Sequence, residues 1–270
     1  MEGKRIKVIN QIFPFGLISN KTSRLQFLEG KISRGQLNLN SVLKKYILVS
    51  FLFFSFLGKL FAQEQVFFFG FFPEAAVTKS LSNGKKINFK VENQETFFRN
   101  TAREGEKWDV RHYRTDFMGF YSWQASPVIN LAIGAFHRIQ DGANANRIIQ
   151  QMAFLQRLRS LRIAHRIRTD QTATRGESLE WRLRYRVALD IPLDGKTLDP
   201  GENYLVLSNE PIFSLQDGEF ELENRLVFTL GKLINEEQKL EYSIDYRTDG
   251  FFQEGFRTRL WAKIGYFYNF

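Results

Sequence analysis

Alternation constrains this chain more than any other feature. In WRLRYRVALDI (181–191), Trp181, Leu183, Tyr185, Val187, Leu189 and Ile191 fall on one parity, and Arg182, Arg184, Arg186 and Asp190 fall on the other. A helix would scatter the arginines around its axis. A strand separates the two sets completely, because successive side chains point to opposite faces. The same split recurs in FELENRLVFTL, where Phe220, Leu222, Leu226, Phe228 and Leu230 oppose Glu221, Glu223 and Arg225. It recurs in LEYSIDYR (240–247) and in the closing RTRLWAKIGYFYNF. Weaker versions occupy about 86–97, 109–121, 128–139, 147–157, 161–170 and 203–213, with turn residues such as Ser82-Asn83-Gly84, Asp141-Gly142, Asp194-Gly195, Asp217-Gly218 and Asn235-Glu236 between them.

The pattern gives roughly eleven strands of about 9–13 residues, the length a tilted membrane strand needs. A soluble sandwich alternates too. Here the apolar faces are rich in aromatics (Phe 28, Tyr 9, Trp 4), and the opposite faces carry charges of both signs. That combination favours an all-β, antiparallel transmembrane β-barrel. Bacterial barrels usually have an even strand number, so the expectation is about 12 strands, with 10 as the alternative. VFFFGFFPEAAVTKSL (66–81), with Pro73 inside it, is where a further element could hide.

The second constraint is VLKKYILVSFLFFSFLGKLFAQEQ (42–65). Lys44 and Lys45 precede an apolar core from Tyr46 to Leu57, and Gly58 and Lys59 end it too soon for a spanning helix of about 20 residues. This is the layout of an export signal, with cleavage between Ala62 and Gln63. Its position implies that residues 1–42 are an upstream extension from an early start, that 43–62 form the signal peptide, and that 63–270 form the barrel. The absence of cysteine excludes disulfides and thiolate metal sites.

Charge narrows the partners. The whole chain carries a net +9, but residues 1–62 hold 10 Lys/Arg and 2 Asp/Glu, leaving 28 and 27 for the rest. The expected mature chain is therefore near +1, without the field of a nucleic-acid binder. Expected partners are outer-membrane lipid and, during biogenesis, periplasmic chaperones and the barrel assembly machinery. The alternating terminal aromatics Tyr266, Tyr268 and Phe270 resemble the signal which that machinery reads.

Several stretches together resemble a known family. They are Phe72-Pro73-Glu74, LRIAHRIR (161–168), RLRYRVALDIPLDG (182–195), YLVLSNEPIF (204–213) and ENRLVFTLG (223–231). From about 65 to 270 the chain resembles the uncharacterised bacterial outer-membrane barrel family called domain of unknown function 2490. The resemblance implies an outer-membrane barrel and no known activity. It also implies an acidic residue where Ala164 stands here, hence one lumen ion pair fewer.

The candidate site is the inner face. Arg162, Arg166 and Arg168 neighbour Arg182, Arg184 and Arg186 if sequential strands pair. Glu219, Glu221 and Glu223 share one inward parity further on, and Glu210 and Arg225 complete the cluster. Like charges on paired strands repel and need acids nearby. Either the acids neutralise the arginines and plug the barrel, or an unbalanced field serves a narrow pore or site for small or anionic solutes. QRLRSLRIAHRIR also reads as a basic amphipathic helix, although Arg159-Ser160 suits a hairpin turn. His112, His137 and His165 lie on different strands without ligand spacing, and no cofactor is expected. His165, on an apolar parity, raises a membrane-embedded lipid hydrolase as a further alternative, but no nucleophile motif accompanies it.

Overall fold

The strand Gln238–Asp249 shows how the alternation is used. Tyr242, Ile244 and Tyr246 are 52%, 49% and 39% exposed, whereas Asp245 and Arg247 are each 3% exposed. The charged face points in and the apolar face out, the reverse of a soluble β-protein. The computed structural model describes residues 64–270 except 102–103, 159–160, 196 and 253–254. The upstream extension, the signal peptide and the Ala62–Gln63 cleavage point lie outside the described residues.

Eleven strands form one closed barrel. They are β1 (Glu64–Ser80), β2 (Lys86–Thr101), β3 (Gly105–Gln124), β4 (Ile129–Gln140), β5 (Ala145–Leu158), β6 (Leu161–Thr174), β7 (Glu180–Pro192), β8 (Asn203–Gln216), β9 (Glu219–Leu233), β10 (Gln238–Asp249) and β11 (Gly255–Asn269). Sequential strands pair antiparallel. The seam is different: β1 and β11 run parallel, in register from Glu64↔Gly255 to Thr78↔Asn269. Eleven is the number that the alternation counts. It is close to the expected 12, and a parallel seam lets an odd barrel close without a free edge.

β1 runs unbroken through Pro73 instead of dividing there. Its ladder with β2 skips Phe72 and Pro73, and a register shift falls at Phe69/Gly70. Proline has no N–H to give a ladder, and the skip leaves none missing. QRLRSLRIAHRIR contributes to the β5–β6 hairpin and not to a helix. β2 and β3 continue as a hairpin to residues 101 and 105, while shorter connections at 141–144 and 175–179 join β4 to β5 and β6 to β7. Asp217 and Gly218 make a two-residue hairpin turn, both at positive φ (53° and 82°), as such turns require.

Aromatics fill part of the interior. Trp261 is fully buried, 5.5 Å from the Tyr113 ring and edge-on to Phe72 at 6.3 Å. Gly70 lies beneath it, where a Cβ would collide with the indole. Met118, Phe120, Ala132, Phe136 and Ile149 form an apolar patch on β3–β5. At the end where the chain terminates, Leu198 on the β7–β8 connection packs with Ala188, Tyr204, Val206 and Leu233. The Tyr204 ring lies flat over Gly231, its partner in the β8–β9 ladder, and only a residue without Cβ permits that approach.

A charged lumen as candidate functional site

The β6–β7 register builds the site. Arg162 faces Asp190, Arg166 faces Arg186, Arg168 faces Arg184 and Asp170 faces Arg182. Two pairs are thus opposite in sign and two alike. Like charges directly across a ladder destabilise it, and the neighbouring strands supply the compensation. The carboxylate of Asp170, fully buried, reaches Arg184 Nε at 3.0 Å, Arg182 Nε at 3.4 Å and Arg147 Nη1 at 3.8 Å. Glu210 on β8 accepts a hydrogen bond from Arg166 Nη2 at 2.9 Å. Asp190 lies 3.9 Å from Arg162. Next to Glu210, Pro211 interrupts the β7–β8 ladder opposite Tyr185 and Arg186.

Two arginines of this wall have no carboxylate within ion-pair distance among the described residues. Arg168 donates from Nε to Gln151 Oε1 at 2.6 Å and lies over the Phe120 ring at 5.1 Å. Arg186 keeps a buried Nε without a hydrogen-bond partner. On the adjoining strands, Arg138 grips both oxygens of Asp116 at 2.8 and 2.9 Å. Arg147 donates to Thr172 Oγ1 and stacks on Phe136 at 4.3 Å.

The opposite wall is balanced. Glu74 bridges Lys90 on β2 (2.5 Å) and Lys263 on β11 (2.8 Å), so one carboxylate clasps the strands on both sides of the parallel seam. Arg247 pairs with Asp245 at 2.6 Å, Arg225 with Glu223 at 2.5 Å, and Lys239 with Glu241 at 2.6 Å. The Tyr204 hydroxyl also donates to Glu241 at 2.7 Å. Arg259 spans Asp249 and Glu223.

Between these walls lies a cavity of about 260 Å³. The charged side chains that line it from β3–β8 are eight arginines and two carboxylates, Asp116 and Glu210. Those from the remaining strands are five cations and five carboxylates. Asp170, Asp190, Glu180 and Arg162 belong to the first wall without lining the cavity, and with them nine arginines still face five carboxylates. The excess positive charge sits on one side of the lumen, across from a neutral side.

Of the residues singled out from sequence, Arg166, Arg168, Arg182, Arg184, Arg186, Glu210, Glu223 and Arg225 line this cavity. Arg162 is buried against Asp190 outside it. Glu221 is half-buried away from the cavity, and Glu219 is exposed at the rim, opposite Gln216. The sequence reading missed the balanced wall around Glu74, Lys90 and Lys263, and also Arg114, Arg138 and Arg147. Their signal was parity again: Asp245 and Arg247 already stood on the polar face of 240–247.

The outward face carries the histidines. His112 contacts Glu95 at 3.0 Å and His137 contacts Asn146 at 2.8 Å. His165 stacks on Phe154 and shares a hydrogen bond with the Tyr185 hydroxyl at 2.8 Å. That partner is a phenol and not the serine a hydrolase nucleophile would supply. Among the described residues no cluster of His, Cys, Asp and Glu is arranged to hold a metal. Tyr266 and Phe270 are exposed, Tyr268 is half-exposed, and the Tyr268 and Phe270 rings stack at 5.6 Å.

A family model described as a protein of unknown function, DUF2490, matches residues 69–266. No curated protein and no solved structure matches the chain.

Proposed function

The chain belongs to this family of proteins of unknown function, and from that premise we propose that it works as an outer-membrane β-barrel with a narrow lumen for small or anionic solutes. The outer surface supports the membrane reading. Ile87, Phe89, Ile133, Ile148, Leu183 and Phe228 are 47–62% exposed around the barrel, a surface that lipid would cover. Strands of 12–20 residues are long enough to cross about 30 Å of hydrocarbon at a tilt.

The observation that carries the anion reading is the unbalanced wall on β3–β8. Barrels of eight strands fill with side chains or hold one small ligand, whereas those of 16–18 leave an aqueous channel. Eleven strands fall between, and a cavity flanked by arginines is what remains. In a low-dielectric enclosure such an excess attracts anions and repels cations.

The test is single-channel recording on the purified chain, shown folded by heat-modifiable gel migration. The reading expects discrete steps with anion selectivity, and reversal of that selectivity in Arg184→Glu. Unchanged selectivity in that variant would remove the lumen wall from the argument.

A second reading follows from the cluster around Leu198, which packs inward-facing side chains together at the end where the chain terminates. A barrel sealed there and braced by ion pairs would bind or brace and not conduct. A folded but electrically silent barrel would favour it.

A further inference from the structure

Arg168 and Arg186 sit diagonally across the β6–β7 ladder, about 7–8 Å apart along the backbone. Both line the cavity, and among the described residues both lack a carboxylate within ion-pair distance, while every other described arginine of that wall has one within 4 Å. Guanidinium forks suit planar and tetrahedral oxyanions better than they suit a halide. Arg168 also lies over Phe120, which belongs with Met118, Phe136 and Ile149 to the apolar patch lining the same cavity. A charged end and an apolar end therefore meet at one residue. The volume, about 260 Å³, falls just below the range of drug-sized pockets, about 300–1,000 Å³.

We infer that Arg168 and Arg186 hold the doubly charged head of a small phosphate monoester whose apolar body lies against Phe120 and Met118. This deepens the proposed lumenal anion site and rests on it. Two charges are specified because, among the described residues, these two guanidiniums have no carboxylate within 4 Å, and because the wall as a whole carries a larger excess.

Isothermal titration of the full chain, purified from membranes in detergent and phosphate-free buffer, tests this at matched ionic strength with phenyl phosphate, inorganic phosphate and benzoate. Phenyl phosphate should bind roughly tenfold more tightly than either of the others, because each lacks one half of the recognition. Arg168→Gln and Arg186→Gln should each weaken phenyl phosphate at least about tenfold, and Arg175→Gln, in an exposed turn, should not. If a glutamine variant fails to show heat-modifiable migration, Arg186→Lys keeps the charge and removes the fork, and should still lose affinity several-fold. Benzoate binding as well as phenyl phosphate, or affinity untouched by the lumen variants, would overturn the inference. A barrel that conducts chloride selectively but binds no phenyl phosphate sinks this inference and leaves the pore standing. Binding without any anion-selective current sinks the pore and leaves the site.

Discussion

Asp170 Oδ2 lies 3.0 Å from Arg184 Nε, and the same carboxylate also serves Arg182 and Arg147. One buried acid thus compensates guanidiniums from two strands beside its own. Removing one partner of a buried ion pair costs about 3–5 kcal/mol, because the remaining charge is stranded. Asp170→Asn leaves Arg184 and Arg147 without a carboxylate within 4 Å among the described residues, with Arg182 keeping Glu180, and should lower stability by at least that range. Arg147→Gln leaves Asp170 with two partners and should cost about 1–2 kcal/mol. Urea titration read by gel migration separates them, and equal losses would mean that Asp170 does not organise the wall.

The seam makes a different claim. Glu74 joins Lys90 and Lys263 across the only parallel pairing in the barrel. Both lysines are partly exposed, so screening reduces the loss from Glu74→Gln to about 1–3 kcal/mol. The effect should appear at the closure itself. Hydrogen exchange should rise in β1 and β11 before it rises in β6 and β7. Uniform acceleration around the barrel would contradict a local clasp.

Much of this was legible in the sequence, and the reasons differ by residue. The 181–191 strand declared itself because its two faces share no residue type. Asp217-Gly218 declared its turn because few other pairs tolerate two positive φ values. Trp261 and Phe72 did not declare themselves. An apolar residue on the inward parity looks like an error in the pattern until the opposite wall is known. Asp170 was visible on its strand, but its three partners depend on the register of β5, β6 and β7 together. The parallel seam was hidden for the same reason, since it joins residues nearly two hundred positions apart.

An odd strand number puts the start of β1 and the end of β11 at opposite ends of the barrel. The start of β1 lies at the same end as the 217–218 turn, and Phe270 lies at the end of the 234–237 turn. Under the membrane reading, a tag placed before Glu64 and one at 217–218 should share one accessibility in intact cells, and a tag at 235–236 should show the other. A tag before Glu64 that behaves like the one at 235–236 would require an even barrel.

The C-terminal aromatics can be separated from stability. Phe270 is 51% exposed, yet its backbone is fixed by Phe270 N donating to Thr78 O at 2.9 Å and Phe270 O accepting from Ser80 N at 2.8 Å. Phe270→Ala keeps both bonds. It should change unfolding in detergent by less than about 1 kcal/mol while sharply lowering the amount of folded barrel in membranes. Matching losses in both settings would make the ring a packing element and not an assembly signal.

Leu198 decides between the open and the sealed lumen. It is 1% exposed and packs on the inward side chains Ala188, Tyr204, Val206 and Leu233. Its connection is anchored independently, by Gly201 N to Leu233 O at 2.6 Å and Leu233 N to Glu202 O at 3.0 Å. Leu198→Ala should therefore leave the backbone in place and cost about 2–5 kcal/mol through the cavity it opens. If this cluster is the block, the variant should conduct, or conduct more, with the anion preference of the arginine wall. If current is unchanged while stability falls by that amount, the constriction lies elsewhere, and the ion pairs of the balanced wall are the next place to relieve it.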